Sequence, residues 1–464
     1  MATLRSRLFR RLAAAVTLTL ALGLTTTAGA VTFSRGDDGK VQAATDEECP
    51  TIGTPAPFEA WFNIADMEQR GFVDPRNNAP WEFSNKMAQV ICGAAPGSEI
   101  KIGMFFIRAI GTMTATGMGE RPETDPEVIY DALEWVKVHR GVTIGLILDG
   151  GTITPTAARN QIIARLKPLA TLTWCATGCF NTNAATVYPF AINHEKFLTI
   201  SDTTWANGKA GPHPAILSMS GNFARSQLRN YHQEVTLIYD DVEMFRQFDL
   251  RYDGMRYCAT SGCSSAEGFP EDLKLSKQRG IWVDPIYRHY TDAGRGTSVS
   301  FTPQTPEAVD FYIQQFNDVD CAVDHKIRIA MFKLTDAKAL QMVNALVRLR
   351  NRGCDVQMLL TYQGGSTTIS PTVAQLLRKA AIPARCTKVA MHTKLILIGP
   401  DHTVGRVLTG TQNMSVSGLR YNEEHVVTLD VRRASEAFQE SLSRVYAQYM
   451  NGWYELAQST RSCT

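Results

Sequence analysis

The sequence predicts an α/β protein of two pseudo-symmetric lobes, each a mixed β-sheet flanked by helices, with one site shared at the lobe interface. Three observations lead there. Apolar runs of strand length alternate with amphipathic helical stretches, the pattern of sheets covered by helices. The order of these elements repeats once along the 464 residues. Each half also carries a His and a Lys two residues apart, at the head of an apolar run short enough to be a buried strand.

Residues 1–30 read as an export signal. Arg5, Arg7, Arg10 and Arg11 form its basic start, Leu12 to Leu24 its apolar core, and Ala28-Gly29-Ala30 a small-residue cleavage site. The mature chain is therefore expected to begin near Ala30 and to be secreted. The apolar core is too short to span a bilayer as a helix. The formal net charge is +2, and loss of the four arginines would bring it to −2. A nearly neutral chain is no general trap for polyanions, which argues mildly against nucleic acid. Ten cysteines, all beyond the signal, fit an oxidising destination, and no Cys/His cluster has zinc spacing. Residues 31–56 are polar and small, a loose leader. Glu59 to Ile91 reads as helical material broken at Asp74-Pro75-Arg76-Asn77-Asn78, with Trp61, Phe62, Trp81 and Phe83 as packing groups.

The repeat begins with Ile100 to Ile107, which matches Ile327 to Leu334. Amphipathic helices follow at Pro126 to Arg140 and Ala337 to Arg352, leading into strands at Val142 to Leu148 and Asp355 to Thr361. Gly151-Thr152-Ile153-Thr154-Pro155-Thr156 then matches Thr367-Thr368-Ile369-Ser370-Pro371-Thr372; in both, Thr or Ser precedes Pro, an N-cap followed by proline at the first helical position. A strand ending at Cys175 or Cys386 closes each pattern. The lobes are read as 57–260 and 301–464, joined by a Gly-rich connection over 261–300. The disulfide set expected is Cys175–Cys179, Cys258–Cys263, Cys354–Cys386, Cys49–Cys92 and Cys321–Cys463, although sequence alone leaves connectivity open.

The residues able to do chemistry cluster late in each half. His194-Glu195-Lys196 opens the run Phe197-Leu198-Thr199-Ile200, with Met219-Ser220-Gly221-Asn222 after it. His392-Thr393-Lys394 opens Leu395-Ile396-Leu397-Ile398, with Gly410-Thr411-Gln412-Asn413 after it. A strand repeats every two residues, so each His and Lys project from one face. Two imidazoles, two ammonium groups and two carboxamides suit a phosphodiester bound without a metal. Zinc held by the two His and two Glu is disfavoured, because two lysines in the same pocket would repel a dication.

These motifs resemble the phospholipase D superfamily, whose signature is His-any-Lys followed by Gly/Ser-Ser/Thr-any-Asn, present twice. The first copy lacks the leading Gly, and Ser201 and Gly399 stand where the family has Asp. The resemblance implies a cofactor-free, monomeric phosphodiesterase. By position His194 would be the nucleophile that becomes phosphorylated and His392 the general acid and base, although the symmetry of the motif leaves the reverse assignment open. Lys196, Lys394, Asn222 and Asn413 would bind the phosphate. Glu234 and Glu424, twelve and eleven residues after the Asn, would hold the imidazoles by their far nitrogens, with Glu423 the rival of Glu424. The first substrate implied is the distal phosphodiester of a phospholipid, by hydrolysis or by transfer to an alcohol, with transient membrane-surface contact. Thr112 to Gly119 and Thr203 to Pro212, with their Met and Trp, would face the lipid. The alternatives are a secreted nuclease of the same superfamily, using Arg225, Arg229 and Arg420, and a catalytically weak phosphodiester-binding protein.

Overall fold

The protein is described from a computed structural model. It covers residue 49 and residues 51–463 apart from 64–78, 108–124, 152–155, 182–190, 207–209, 225–226, 229–230, 264, 266, 274, 279–280, 285–289, 293, 306–309, 364–365, 368, 389 and 401–403. The export signal, most of the loose leader, the break at 74–78 and the insertion at 112–119 lie outside the described residues.

The repeat is visible as two sheets with one strand order. The first contains β1 (Phe58–Asn63), β2 (Glu99–Met104), β3 (Thr143–Asp149), β4 (Thr171–Cys175), β5 (Lys196–Ile200), β6 (Ala215–Met219) and β7 (Gln233–Tyr239), arranged β1-β7-β6-β5-β2-β3-β4. The second contains β8 (Tyr290–Asp292), β9 (Arg295–Thr302), β10 (Lys326–Met331), β11 (Asp355–Leu360), β12 (Ala384–Thr387), β13 (Lys394–Gly399), β14 (Arg406–Gly410), β15 (Glu424–Ala434) and β16 (Thr460–Ser462). Its order is β8-β9-β15-β14-β13-β10-β11-β12-β16, the first sheet's order with one strand added at each edge. In both, three strands pair in parallel (β2-β3-β4 and β10-β11-β12) and the rest are antiparallel.

Helices cover the sheets as the alternation requires: α1 (Ala79–Cys92), α2 (Asp125–Arg140) and α3 (Thr156–Leu166) on the first, and α5 (Phe311–Asn317), α6 (Ala337–Asn351), α7 (Pro371–Lys379) and α8 (Val416–Arg420) on the second. Ser370 caps α7 by accepting the Val373 N–H, with Pro371 in the first turn, as its sequence foretells. Two long helices, α4 (Val242–Ser261) and α9 (Glu436–Gln458), contribute Phe248, Tyr252, Tyr449 and Trp453 to an inner core. That core also takes Phe197 and Ile216 from the first sheet and Leu395, Leu397 and Val407 from the second, so the two sheets share one apolar layer.

Two expectations are corrected. Residues 59–63, read as helical, form β1, an edge strand pairing antiparallel with β7 from Phe58↔Ile238 to Asn63↔Gln233. A partner distant in sequence overrides local pattern here. The disulfides Cys49–Cys92, Cys175–Cys179 and Cys258–Cys263 are as expected, but the remaining four cysteines pair as Cys321–Cys354 and Cys386–Cys463. The reason is β16, which lies against β12 with Cys386 opposite Arg461 and so brings Cys463 to Cys386.

Peptide mapping under non-reducing conditions is expected to recover Cys386 linked to Cys463, and Cys321 linked to Cys354. Cys463→Ser should release β16 and lower stability by about 2–4 kcal/mol, read by denaturant unfolding. A Cys354–Cys386 peptide would contradict the placement of β16.

Candidate active site

Each candidate His stands two residues ahead of a central strand, β5 or β13, and three local devices hold it there. A side chain at the end of a neighbouring strand takes the preceding N–H: Asp149 Oδ2 accepts from Asn193 at 2.8 Å, and Thr361 Oγ1 accepts from Met391 at 2.8 Å. The main chain then pairs across the lobe boundary. The His194 N–H donates to the Glu423 carbonyl at 2.9 Å and the Glu423 N–H to Ile192 at 3.1 Å; the His392 N–H donates to His232 at 2.7 Å and the His232 N–H to Ala390 at 3.0 Å. Finally, an aromatic ring packs on each imidazole. Phe105 lies 5.0 Å from His194 and Phe332 4.7 Å from His392, just beyond equivalent ends of β2 and β10. Neither Phe is among the sequence candidates, nor is Tyr231, 6.3 Å from His392. The repeat carries the signal for the first two, since Met104-Phe105 matches Met331-Phe332.

These constraints bring the imidazoles of His194 and His392 to a centroid separation of 6.3 Å. The lysines join them from the same strand face, as the period of two requires. Lys196 Nζ donates to the His194 carbonyl at 2.7 Å; Lys394 Nζ donates to the His392 carbonyl at 2.5 Å and stands 2.9 Å from His392 Nδ1. Asn222 accepts the Phe106 N–H at 3.3 Å and donates to Gln227 Oε1 at 2.9 Å. Asn413 Oδ1 is buried without a hydrogen-bond partner among the described residues.

The glutamates divide. Glu424 Oε2 lies 2.9 Å from His194 Nδ1, a contact from one lobe to the other. Glu234 does not hold His392. Its carboxylate accepts from the Lys394 N–H at 3.1 Å, Thr409 Oγ1 at 3.2 Å and Ser220 Oγ at 3.0 Å. His392 Nδ1 instead meets the Ser220 carbonyl at 2.6 Å. The register explains the difference. Met219 pairs with Val235 as Gly410 pairs with Val426, so the counterpart of Glu424 is Gln233, and Glu234 corresponds to His425. A slip of one residue turns a strand side chain to the opposite face. Gln233 donates to the Gln227 carbonyl at 2.9 Å and lies over Gly221, where a Cβ would sit 1.2 Å from its Oε1. The rival Glu423 accepts the Phe180 N–H at 2.8 Å.

Burial and crowding of positive charge set the protonation states. Burial lowers both imidazoles well below the ordinary His value, and the ammoniums of Lys196 and Lys394 lower them further. The Ser220 carbonyl works against this at His392. Burial brings Lys394 down to about 7, opposed by Glu234 and Glu424. It pushes Glu424 up to about 8, opposed by Lys196 and Asn422. The pocket therefore holds positive charge reluctantly, and a bound anion would relieve it.

Other expectations fare differently. Trp205, assigned to a lipid-facing loop, is buried at 3% exposure, with its ring 5.6 Å from Tyr239. It fills the space left by Gly93, where a Cβ would come within 2.1 Å of the ring. Arg420, a candidate for a nucleic-acid channel, forms a buried ion pair with Asp310. Arg225 and Arg229 lie outside the described residues. Among the described residues, no group of three or more His, Cys, Asp and Glu is placed to hold a metal ion, and no helix is long and apolar enough to cross a membrane.

Known proteins share this arrangement in part. Residues 319–446 match the family model described as cardiolipin synthase, phospholipase D-like domain. Comparison with curated proteins gives no match. The fold is similar to that of phosphatidylserine synthase from Haemophilus influenzae Rd KW20, with 11% identity, 82% of this chain and 85% of that chain covered, and a TM-score of 0.51. A phospholipase D family member, Nuc from Salmonella typhimurium, aligns at 18% identity over 36% of this chain and 95% of its own, TM-score 0.28. Polyphosphate kinase from Porphyromonas gingivalis aligns at 11% identity and TM-score 0.47; the match takes in 84% of this chain and about half, 49%, of that one. The second half thus carries a phospholipase D-like domain, and the strand order and the His, Lys and Asn positions of that half recur in the first.

Proposed function

We propose that the protein is a metal-independent phosphodiesterase, monomeric and secreted, that works through a phosphohistidine on His194. The observation that carries this is the pair of imidazoles 6.3 Å apart, one backed by a carboxylate, with two ammonium groups on the same strand faces. The export part of the reading draws support from five disulfides that use all ten cysteines.

His194 is the better nucleophile of the two. With its Nδ1–H donated to ionised Glu424, the Nε2 lone pair is held toward the pocket and the imidazolium character of the phosphorylated ring is stabilised. His392 Nδ1 faces a neutral carbonyl and the Lys394 ammonium rather than a carboxylate, so no countercharge fixes its protonated form and it can gain and lose a proton at Nε2. A diester anion between the rings raises the His392 pKa by partly cancelling the two ammoniums, and so charges the acid on binding. His194 Nε2 attacks phosphorus, the P–O bond to the leaving alcohol breaks, and the alkoxide takes the His392 proton. Neutral His392 then removes a proton from water, whose oxygen attacks phosphorus and breaks the P–N bond. A phosphomonoester leaves and His194 is restored. Lys196, Lys394, Asn222 and Asn413 stabilise charge on the non-bridging oxygens.

His194→Ala and His392→Ala are each expected to abolish cleavage of bis(p-nitrophenyl) phosphate, a loss of at least about a thousandfold, while circular dichroism stays that of the wild type. Wild-type turnover by both variants would refute the assignment. A rapid alkaline or detergent quench during turnover should trap a p-nitrophenylphosphoryl group on a peptide containing residue 194.

Activity should survive EDTA undiminished. Loss that zinc restores would point to a metal mechanism instead.

The pH profile of kcat/KM should be bell-shaped with its maximum between about 7 and about 8, falling in acid as Glu424 protonates and in base as Lys394 loses its proton. Lys394→Arg should carry the alkaline limb to higher pH, because a guanidinium stays charged. An unmoved alkaline limb would remove Lys394 from phosphate binding.

A further inference from the structure

Behind the pair of His194 and Glu424 lies a second contact across the lobe boundary, built in reverse. Glu195 comes from the first lobe and His425 from the second, with Glu195 Oε2 2.6 Å from His425 Nδ1. The alternation of strand faces makes this inevitable: where His194 and Glu424 face the pocket, their neighbours in sequence face inward. Among the described residues, main-chain pairing between the two segments is confined to residues 192–194 and 423. Beyond that point the strands enter different sheets, and side chains carry the contact.

The rear contact is anchored at both ends. Arg251 of α4 lies 3.4 Å from Glu195 Oε1 and donates to the Thr302 carbonyl of β9. His425 Nε2 meets Ser218 Oγ of β6 at 2.8 Å. Glu195 and His425 have no exposed surface. Burying a carboxylate carries a desolvation cost that its contacts only partly offset, so stability alone is a weak reason for the contact. It is also one-sided. The positions equivalent to Glu195, His425 and Ser218 on the His392 side are Thr393, Glu234 and Thr409, which supply hydroxyls and a single carboxylate without an imidazole. The carboxylate–imidazole rear contact thus stands behind the imidazole that has a carboxylate partner.

We propose that Glu195 and His425 are positioning residues that hold His194 against Glu424, with Arg251 and Ser218 as their anchors. They fix the spacing of the two strands where main-chain pairing ends, so the His194 ring keeps its 2.9 Å contact and its aim at phosphorus. Misplacement of a reacting group by about 1 Å can cost about a hundredfold in rate, so a device of this kind acts on kcat.

The kinetic half of the test rests on the phosphodiesterase reading; the spectroscopic half does not. Glu195→Gln and Ser218→Ala, made in the full chain, are compared with Tyr449→Phe. The last removes a hydroxyl that bonds Thr236 and Thr409 in the same inner layer but touches neither the His194–Glu424 nor the Glu195–His425 contact. Two things are read: kcat and KM on bis(p-nitrophenyl) phosphate, and the downfield proton resonance of His194 Nδ1–H, identified by its loss in Glu424→Gln. Glu195→Gln should lower kcat about tenfold or more with KM changed less than about twofold, and should shift or broaden the resonance. Ser218→Ala should do the same to a smaller extent, and it decides the matter should Glu195→Gln not fold. Tyr449→Phe should leave kcat and the resonance as in the wild type even where it lowers the melting temperature. The proposal fails if Glu195→Gln keeps the wild-type kcat and resonance, or if Tyr449→Phe reproduces its effects. Should the wild type cleave no diester, the function proposed above falls, and the resonance alone decides this inference.

Discussion

The site depends on an exchange of strand ends. Just before β5 and just before β13, the chain pairs with the other lobe rather than with its own sheet: His194 with Glu423, and His392 with His232. Backbone hydrogen bonds are directional and must be satisfied when buried, so these pairings set the distance between the lobes within narrow limits. Everything that faces the pocket inherits that precision. Neither half of the chain could place its imidazole alone, because the main-chain partner and the Nδ1 partner, a carboxylate for His194 and a carbonyl for His392, both arrive from the opposite half.

The second constraint is electrostatic. Two lysines and two histidines converge where burial already disfavours charge, with Glu424 and Glu234 as the nearby countercharges. Such a pocket is in tension until an anion enters. In the mechanism proposed above, a bound phosphodiester would satisfy the ammoniums and raise the tendency of His392 to carry a proton, so that occupancy and activation would be one event. The same logic gives each imidazole a different partner. On the proposed reading, the carboxylate on His194 would favour its charged, phosphorylated form, while His392, without one, would be free to cycle.

Much of this is legible in the chain. The His-any-Lys pairs, the Asn positions and the repeated strand–helix–strand order follow from periodicity and from comparing one half with the other. The misreadings share a cause. β1 reads as helix because its partner, β7, lies about 170 residues away and contributes nothing to local pattern. Two disulfides come out crossed because β16 reaches β12 only in the folded chain. Glu234 stands out over Gln233 when spacing is counted from Asn222 without the strand register, and one residue decides which face a side chain takes. Trp205 reads as outward-facing because a Gly-rich neighbourhood hides the cavity over Gly93 that it fills.

The sequence by itself determined the chemical inventory and the duplication, since both are properties of residue type and order: two imidazoles, two ammoniums, two carboxamides, and two α/β halves to carry them. Tertiary structure alone decided which carboxylate meets which imidazole, that His392 rests on a carbonyl, and that Glu195 and His425 lie behind the pocket as a reversed copy of the front pair. Those outcomes depend on register and on contacts between residues 230 apart, such as His194 with Glu424. Such contacts form only when the entropy of closing long loops has been overcome by packing, and no local rule in the chain encodes them.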